Sequence, residues 1–176
     1  EAMNKILKNN KKKIDLVVMI QGDEPCLEPK MINQVVKPFK KNNKIEISNL
    51  YTILKDHKEV TDPNRVKVVV DKESNAIYFS RESISTKNEK KKKIYYKQGN
   101  IFCFSKKSLN NFVKLYPSNL EITESIDMNR LIENRKKIKM VKTNFNTTNV
   151  DNLKDLKKLV KIMKKDKKFR VYSKKA

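Results

Sequence analysis

The stretch that decides the fold is Leu16-Val17-Val18-Met19-Ile20-Gln21-Gly22-Asp23-Glu24-Pro25. Its first five residues are all apolar, which predicts a strand buried on both faces, as in a parallel sheet. Ligands of open α/β folds bind just beyond the carboxyl ends of such strands. Asp23 stands at that position, where a carboxylate can hold Mg²⁺ against the phosphates of a nucleotide. Gly22 predicts a turn that needs a positive φ or a close backbone approach. A strand-ending turn with solvated acids is the alternative.

The composition excludes several classes of protein. The net charge of +22 comes from 42 basic and 20 acidic residues and is typical of nucleic-acid-binding proteins. The basic residues are mostly lysines spread along the whole chain, so we interpret the charge as compositional background that also attracts an anionic substrate. Cys26 and Cys103 are too few for a disulfide framework or a zinc site, which favours reduced thiols in the cytoplasm. No apolar run is long enough to predict a membrane span, and no signal peptide is evident.

Apolar periodicity predicts strands alternating with helices, interrupted by one antiparallel hairpin. This pattern indicates an α/β fold with a mixed sheet. We expect one domain over residues 1–165, with a hairpin excursion at about 62–104, and a charged tail over 166–176. The predicted strands are 16–20, 45–54, 65–70, 76–81, 101–104 and 138–141, and the predicted helices are 29–39, 108–115, 117–133 and 152–164. Residues 82–97 are expected to form a lysine-rich surface insertion.

Several polar side chains near the predicted strand ends suit ligand recognition. Arg81 can bind a carboxylate or phosphate through two parallel hydrogen bonds, or it can be an ordinary surface arginine. Tyr78 and Ser80 share the opposite face of the same strand. Gln98 offers a neutral amide beside a glycine, which suits a polyhydroxylated ligand or a plain turn. Lys67 points either at a phosphate or into solvent.

Four acidic residues follow in the second half of the chain. Glu121, Glu124 and Asp127 cover one flank of a predicted helix. Glu121 also fits a capping box with Ser118, and both glutamates complement the helix dipole. Asp151 is either the N-cap of the last helix or a second metal ligand that meets Asp23 at the top of the sheet.

In combination these segments resemble the 3-deoxy-manno-octulosonate cytidylyltransferases, the CMP-sugar-acid synthetases of lipopolysaccharide assembly. Gln21-Gly22-Asp23-Glu24-Pro25 followed by Tyr78-Phe79-Ser80-Arg81 at this separation is a specific match. Residues 62–69, 117–130, 150–151 and 155–156 match in the same order, so the resemblance extends over nearly the whole chain.

The resemblance implies a nucleotide-diphospho-sugar transferase-like three-layer α/β fold with a mixed, mostly parallel sheet. It implies a cytoplasmic, homodimeric enzyme that uses CTP, a sugar acid and Mg²⁺ to form CMP-sugar and pyrophosphate, without nucleic acid or membrane as a partner. Asp23 and Asp151 would be the catalytic metal ligands. The sugar-acid pocket would be lined by Gln21, Tyr78, Ser80, Arg81, Gln98, Glu121 and Glu124.

Three departures from the family pattern accompany these matches. Gln98 stands where the best-known members carry histidine, and Asp127-Met128 stands where they carry a Glu-Gln pair. At both places this sequence resembles a branch of the family that includes enzymes for the 8-amino-8-deoxy sugar. The family's N-terminal strand and its basic, glycine-containing loop are not in this sequence, so we expect the fold to lack its N-terminal strands and this chain alone to bind CTP poorly. The alternatives are a synthetase for another sugar acid, such as an 8-amino or sialic-acid-like one, a basic nucleic-acid-binding protein, and an inactive remnant.

Overall fold

A six-stranded mixed sheet forms the centre of the computed structural model, which describes residues 5–6, 13–54, 56–84, 94–145, 150, 153–166, 169 and 171. The strands are β1 (Leu16–Ile20), β2 (Ile47–Leu54), β3 (Lys67–Val70), β4 (Ala76–Ser80), β5 (Tyr95–Ser105) and β6 (Lys139–Lys142). Their spatial order is β4-β3-β5-β2-β6, and β1 also pairs with β5. The predicted α/β fold with a mixed sheet is confirmed.

β5 runs against the direction of its neighbours. It pairs antiparallel with β1, β2 and β3, whereas β2 and β6 pair in parallel. β1, β2, β3 and β6 therefore share one direction, although β2–β6 is the one parallel pair among the described strands. The predicted hairpin is also confirmed, because β3 and β4 pair antiparallel with Val68 opposite Phe79.

β1 and β3 lie on the same edge of β5, one after the other. Ile20 at the end of β1 pairs with Ile101, and Lys67 at the start of β3 pairs with Lys97. Residues 98–100 lie between these two pairings. Single backbone hydrogen bonds mark the two sides of the interval, from Gln21 N to Asn100 O (3.4 Å) and from Gln98 N to Val66 O (2.9 Å). The sheet is thus split on this edge at the carboxyl end of β1.

Helices cover both faces of the sheet, as a three-layer fold requires. They are α1 (Pro29–Lys41), α2 (His57–Val60), α3 (Lys106–Phe112), α4 (Asn119–Glu124), α5 (Met128–Glu133) and α6 (Leu153–Met163). On one face Met31 and Val35 of α1 pack with Leu50, Ile101 and Cys103. On the other face residues of α5 pack with three phenylalanines of β4 and β5, and this cluster comprises Phe79, Phe102, Phe104, Met128 and Leu131 among others. In the described ranges no helix combines the length and the apolar character needed to cross a membrane.

Four sequence-based expectations about local structure are wrong. β1 is half-buried rather than fully buried, because none of the described strands pairs with its other edge. β5 begins at Tyr95 and not at 101, so the end of the expected surface insertion belongs to the sheet. The expected helix over 117–133 is two helices, because Ser125 adopts a left-handed conformation (φ 52°) that ends α4. Lys67 is buried in β3 instead of facing solvent.

The division into a domain over 1–165 and a tail over 166–176 stays a prediction. Much of the expected tail, and the central part of the expected insertion, lie outside the described residues.

Candidate functional site

The split in the sheet opens into a cavity of about 280 Å³. The segment that follows β1 provides Gln21 and Asp23, and β5 provides Gln98 and Asn100. The segment before β3 provides Asn64 and Val66, the residue after β4 is Arg81, and the junction between α4 and α5 provides residues 125–127. The structure therefore brings together four of the predicted site residues: Gln21, Asp23, Arg81 and Gln98.

A larger cavity of about 490 Å³ lies at the opposite ends of β2 and β6. Lys44, Arg135 and Lys137 are among its lining residues, and none of the predicted site residues is. Its basic character matches the lysine-rich composition of the whole chain. The smaller cavity is the better candidate because four chemically distinct predicted residues converge there.

Asp23 has the features of a residue that binds a cation. Its Oδ1 atom is buried and has no hydrogen-bond partner among the residues that the structure describes. A buried carboxylate oxygen without a partner is costly, and a divalent cation would satisfy it. The carbonyl oxygen of Asp23 also accepts a hydrogen bond from the backbone N–H of Val150 (3.1 Å). Asp151, the second predicted ligand, lies outside the described residues, but it is covalently joined to the residue that contacts Asp23.

Gly22 does not meet the geometric need expected of it. It has no positive φ, and a Cβ atom built on it would meet no atom within 4 Å. The other glycine, Gly99, is required for packing instead. A Cβ there would lie 3.2 Å from both the Cβ and the carbonyl oxygen of Leu50, so β2 approaches β5 closely between the cavity-lining residues Gln98 and Asn100.

Arg81 is held in place by three carbonyl oxygens. Its Nε donates to Glu124 O (2.9 Å), its Nη1 to Pro63 O (3.1 Å) and its Nη2 to Ser125 O (3.2 Å). It forms no salt bridge with any residue in the described part of the chain. A guanidinium has five N–H donors, so its charge and two further donors are available to an anionic ligand.

Glu124 lies behind the cavity and not on its wall. Its carboxylate accepts hydrogen bonds from Tyr78 OH, from Ser80 Oγ (3.0 Å) and from the backbone N–H of Arg81 (2.9 Å). Burial opposes ionisation of Glu124, but these hydrogen bonds outweigh it and hold the pKa of the carboxyl below its ordinary value. The hydrogen bond to Glu124 raises the pKa of Tyr78. Tyr78, Ser80 and Glu124 are thus gathered into one network that supports the main chain of Arg81.

Glu121, one turn before Glu124 in α4, is paired with Arg130. Both of its carboxylate oxygens accept hydrogen bonds from the Arg130 guanidinium. Glu121 also accepts from the backbone N–H of Ser118 (3.2 Å), as the predicted capping box requires. The hydrogen bonds from Arg130 are the main reason that the pKa of Glu121 is lowered. Glu121 does not line the cavity.

Gln98 and Asp127 bring polar side chains to the cavity. Gln98 is buried, and its Nε2 atom has no hydrogen-bond partner in the described part of the chain, so an amide donor is available to a ligand. Desolvation by the surrounding protein raises the pKa of Asp127, and the nearby charge of Glu121 raises it further. The hydrogen bond from the backbone N–H of Met128 opposes this increase. The side chain is partly open to solvent. Within the described residues no three carboxylate, histidine or cysteine side chains form a preassembled metal site.

Sequence reasoning did not single out Asn64, Val66, Asn100 or Ser125 as site residues. Asn64 and Asn100 each stand directly before a predicted strand, and this position was the only sequence signal that could have identified them. Ser125 reaches the cavity because the helix ends there. Nothing in the local sequence marks that break.

Comparison with known proteins identifies relatives of this chain by sequence and by fold. The sequence pattern of the family described as Cytidylyltransferase matches residues 1–138. A 3-deoxy-manno-octulosonate cytidylyltransferase from Christiangramia forsetii is 38% identical over 134 residues, which cover 74% of this chain and 54% of the relative. The protein of the same name from Geotalea uraniireducens is 33% identical over 144 residues, covering 76% of this chain and 57% of the relative. The chain spans about half the length of the curated relatives it matches.

Solved structures of nucleotidyltransferases have a similar fold. A CMP:2-keto-3-deoxy-manno-octonic acid synthetase complexed with CTP has a TM-score of 0.81 and 25% identity, covering 92% of this chain and 66% of that one. An inositol-1-phosphate CTP transferase from T. maritima has a TM-score of 0.56 and 17% identity, covering 94% of this chain and 61% of the other, and shows similarity of fold alone.

Proposed function

Because the chain belongs to the cytidylyltransferase family, we propose that the complete protein transfers CMP from CTP to a 3-deoxy-manno-octulosonate-type sugar acid and releases pyrophosphate. The observation that carries this proposal is the cavity at the split of the sheet. Within the described residues it combines a carboxylate oxygen without a partner on Asp23, an arginine without a salt bridge (Arg81), and an unpaired amide donor on Gln98. A metal-bound nucleotide and a polyhydroxylated anion need these groups.

The proposal includes Mg²⁺ held by Asp23 and Asp151. The partnerless Oδ1 of Asp23 and the hydrogen bond between Asp23 and Val150 support this assignment. When bound, the ion would offset the negative charge of the CTP phosphates. This chain's own residues would bind and orient the acceptor sugar beside that position.

We assign direct contact with the sugar acid to Gln21, Arg81 and Gln98. The guanidinium of Arg81 suits the carboxylate of the sugar acid, and Gln98 suits a hydroxyl group. Four further residues support the site from behind the cavity wall: Tyr78, Ser80, Glu121 and Glu124. Their polar atoms already form hydrogen bonds with one another, with Arg81 or with Arg130.

The family resemblance also implies a homodimer, a cytoplasmic location and a role in lipopolysaccharide biosynthesis, and we include these in the proposal. Size-exclusion chromatography with light scattering tests the dimer. A protein that stays monomeric at micromolar concentration would contradict this part alone.

A pyrophosphate-release assay on the complete protein tests the main proposal. We expect release that requires CTP, Mg²⁺ and a sugar acid together, and the octulosonate, its 8-amino analogue and a sialic-acid-like nonulosonate should be compared at equal concentration. In the matched pair Arg81→Lys and Arg135→Lys, only Arg81→Lys should raise KM for the sugar acid, because Arg135 lies at the other cavity. Tight, salt-sensitive DNA binding without any pyrophosphate release would instead favour the nucleic-acid-binding alternative.

A further inference from the structure

Lys67 is a buried lysine that the proposed reaction does not use directly. Its side chain is 2% exposed, and its Nζ donates to Asp62 O (3.0 Å) and to Arg81 O. Burial lowers the pKa of Lys67, partly offset by the charges of Glu82, Asp62 and Glu124. Burying an ammonium group costs free energy, and the hydrogen bonds of Lys67 to these two carbonyl oxygens offset part of that cost. These contacts therefore indicate the role of Lys67 in the fold.

The two carbonyl oxygens that Lys67 binds belong to the two segments on either side of the β3–β4 hairpin. The segment that contains Asp62 supplies Asn64 and Val66 to the cavity, and the Pro63 carbonyl that accepts from Arg81 Nη1. The other segment is Arg81 itself. One ammonium thus joins both segments directly, at the position where Arg81 leaves the strand.

Glu124 completes the support of Arg81 from the opposite side. Its carboxylate accepts from the backbone N–H of Arg81, and its own carbonyl accepts from Arg81 Nε. Lys67 therefore holds the carbonyl group of Arg81, while Glu124 holds its N–H group and part of its side chain. A side chain fixed at all these points cannot easily turn away from the cavity.

We propose that Lys67 is a positioning residue, whose ammonium fixes the main chain at Arg81 so that the guanidinium meets the anionic group of the acceptor. The inference rests on the proposed function for the identity of that acceptor. Lys67 does not line the cavity, so it does not contact the acceptor itself. A purely structural lysine would affect stability without selective loss of acceptor binding.

Kinetics of Lys67→Met test this inference in the complete protein, with Lys72→Met as the matched control. Lys72 is an exposed lysine in the turn of the same hairpin, so its substitution removes the same charge without touching the support of Arg81. We expect Lys67→Met to raise KM for the sugar acid about tenfold, the loss expected from a weakened charge-assisted contact, with KM for CTP unchanged. A KM for the sugar acid within twofold of the wild type would overturn the proposal.

A double-mutant cycle separates positioning from general destabilisation. In an Arg81→Met background, Lys67→Met should cost nothing further in kcat/KM, because both act through the same guanidinium. Additive losses would contradict the proposal. If Lys67→Met does not fold, Lys67→Gln, which keeps shorter amide donors, replaces it in both measurements.

A readout that needs no activity keeps this inference distinct from the proposed function. The Nε–H signal of Arg81 in a ¹⁵N NMR spectrum, assigned by its loss in Arg81→Lys, should be protected from exchange in the wild type and in Lys72→Met. It should lose protection in Lys67→Met. An unchanged Arg81 signal in Lys67→Met refutes the positioning role even if the enzyme is active, and loss of protection supports it even if no pyrophosphate is released.

Discussion

Glu124→Gln provides the sharpest test of the network behind the cavity. The carboxylate of Glu124 accepts from three donors: Tyr78 OH, Ser80 Oγ and the backbone N–H of Arg81. A glutamine offers one carbonyl oxygen, and its NH₂ group must face at least one of those donors. A hydrogen bond to a charged acceptor contributes about 1.5–3 kcal/mol, against about 1 kcal/mol for a neutral one. Three weakened contacts therefore predict a loss of roughly 1.5–6 kcal/mol.

The predicted loss should depend on pH. The pKa of Glu124 is lowered in the folded state, so the folded protein keeps this carboxylate ionised at a pH where the unfolded chain begins to protonate it. The stabilisation is therefore fully present above the ordinary carboxyl pKa and is lost as the pH falls through the folded-state value. Wild type and Glu124→Gln should differ most near pH 7 and converge in acid.

Urea denaturation at pH 7 and at about pH 3.5 measures both effects. Glu46→Gln is the control, because it removes one negative charge at the far end of β2 and away from this network. A difference in unfolding free energy of less than about 0.5 kcal/mol at pH 7, the range of ordinary surface substitutions, would refute the reasoning. So would an equal difference at both pH values, because the stabilisation would then not come from the ionised carboxylate.

Three further predictions concern the close packing of β2 on β5 at Gly99, the metal site and the core. Gly99→Ala should lower the unfolding free energy by about 1–3 kcal/mol in urea denaturation, because its Cβ would meet Leu50 at 3.2 Å, and Gly22→Ala should be nearly neutral. In the complete protein, Asp23→Asn should abolish the increase in melting temperature that Mg²⁺ and CTP produce together, and a retained increase would contradict the metal assignment. Cys103, whose pKa burial raises to about 12, should resist iodoacetamide at pH 8 until urea unfolds the protein, and rapid labelling of the folded protein, measured by mass spectrometry, would contradict its burial.

The regular parts of the fold could be predicted because each has a strong local signal. Pro29 followed by apolar residues at helical spacing predicted α1, which begins at that proline. The valines of β3, the polar turn and the apolar residues of β4 predicted the hairpin. The family resemblance, and not a local signal, implied that Asp23 and Arg81 share one site, and both line the same cavity.

The rest depends on tertiary contacts that local sequence does not encode. The sequence of the first half of β5 is polar and predicts a loop. Its residues face a cavity and two neighbouring strands instead of a continuous apolar core. In a lysine-rich chain the sequence does not distinguish Lys67 from a surface lysine, yet its ammonium donates to carbonyl oxygens on both sides of the β3–β4 hairpin. The roles of Tyr78, Ser80 and Glu124 depend on how α4 meets the end of β4, which spacing alone cannot give.

The arrangement of β1 and β3 on one edge of β5 makes the length of the intervening segment critical. Their paired positions, Ile101 and Lys97, are four residues apart, which corresponds to about 13 Å of extended chain. Deleting one residue from 98–100 would shorten that interval and also reverse which side chains point inward, since successive residues alternate in direction. Insertions and deletions should therefore be tolerated in the polar turns of this protein and rejected in these three residues.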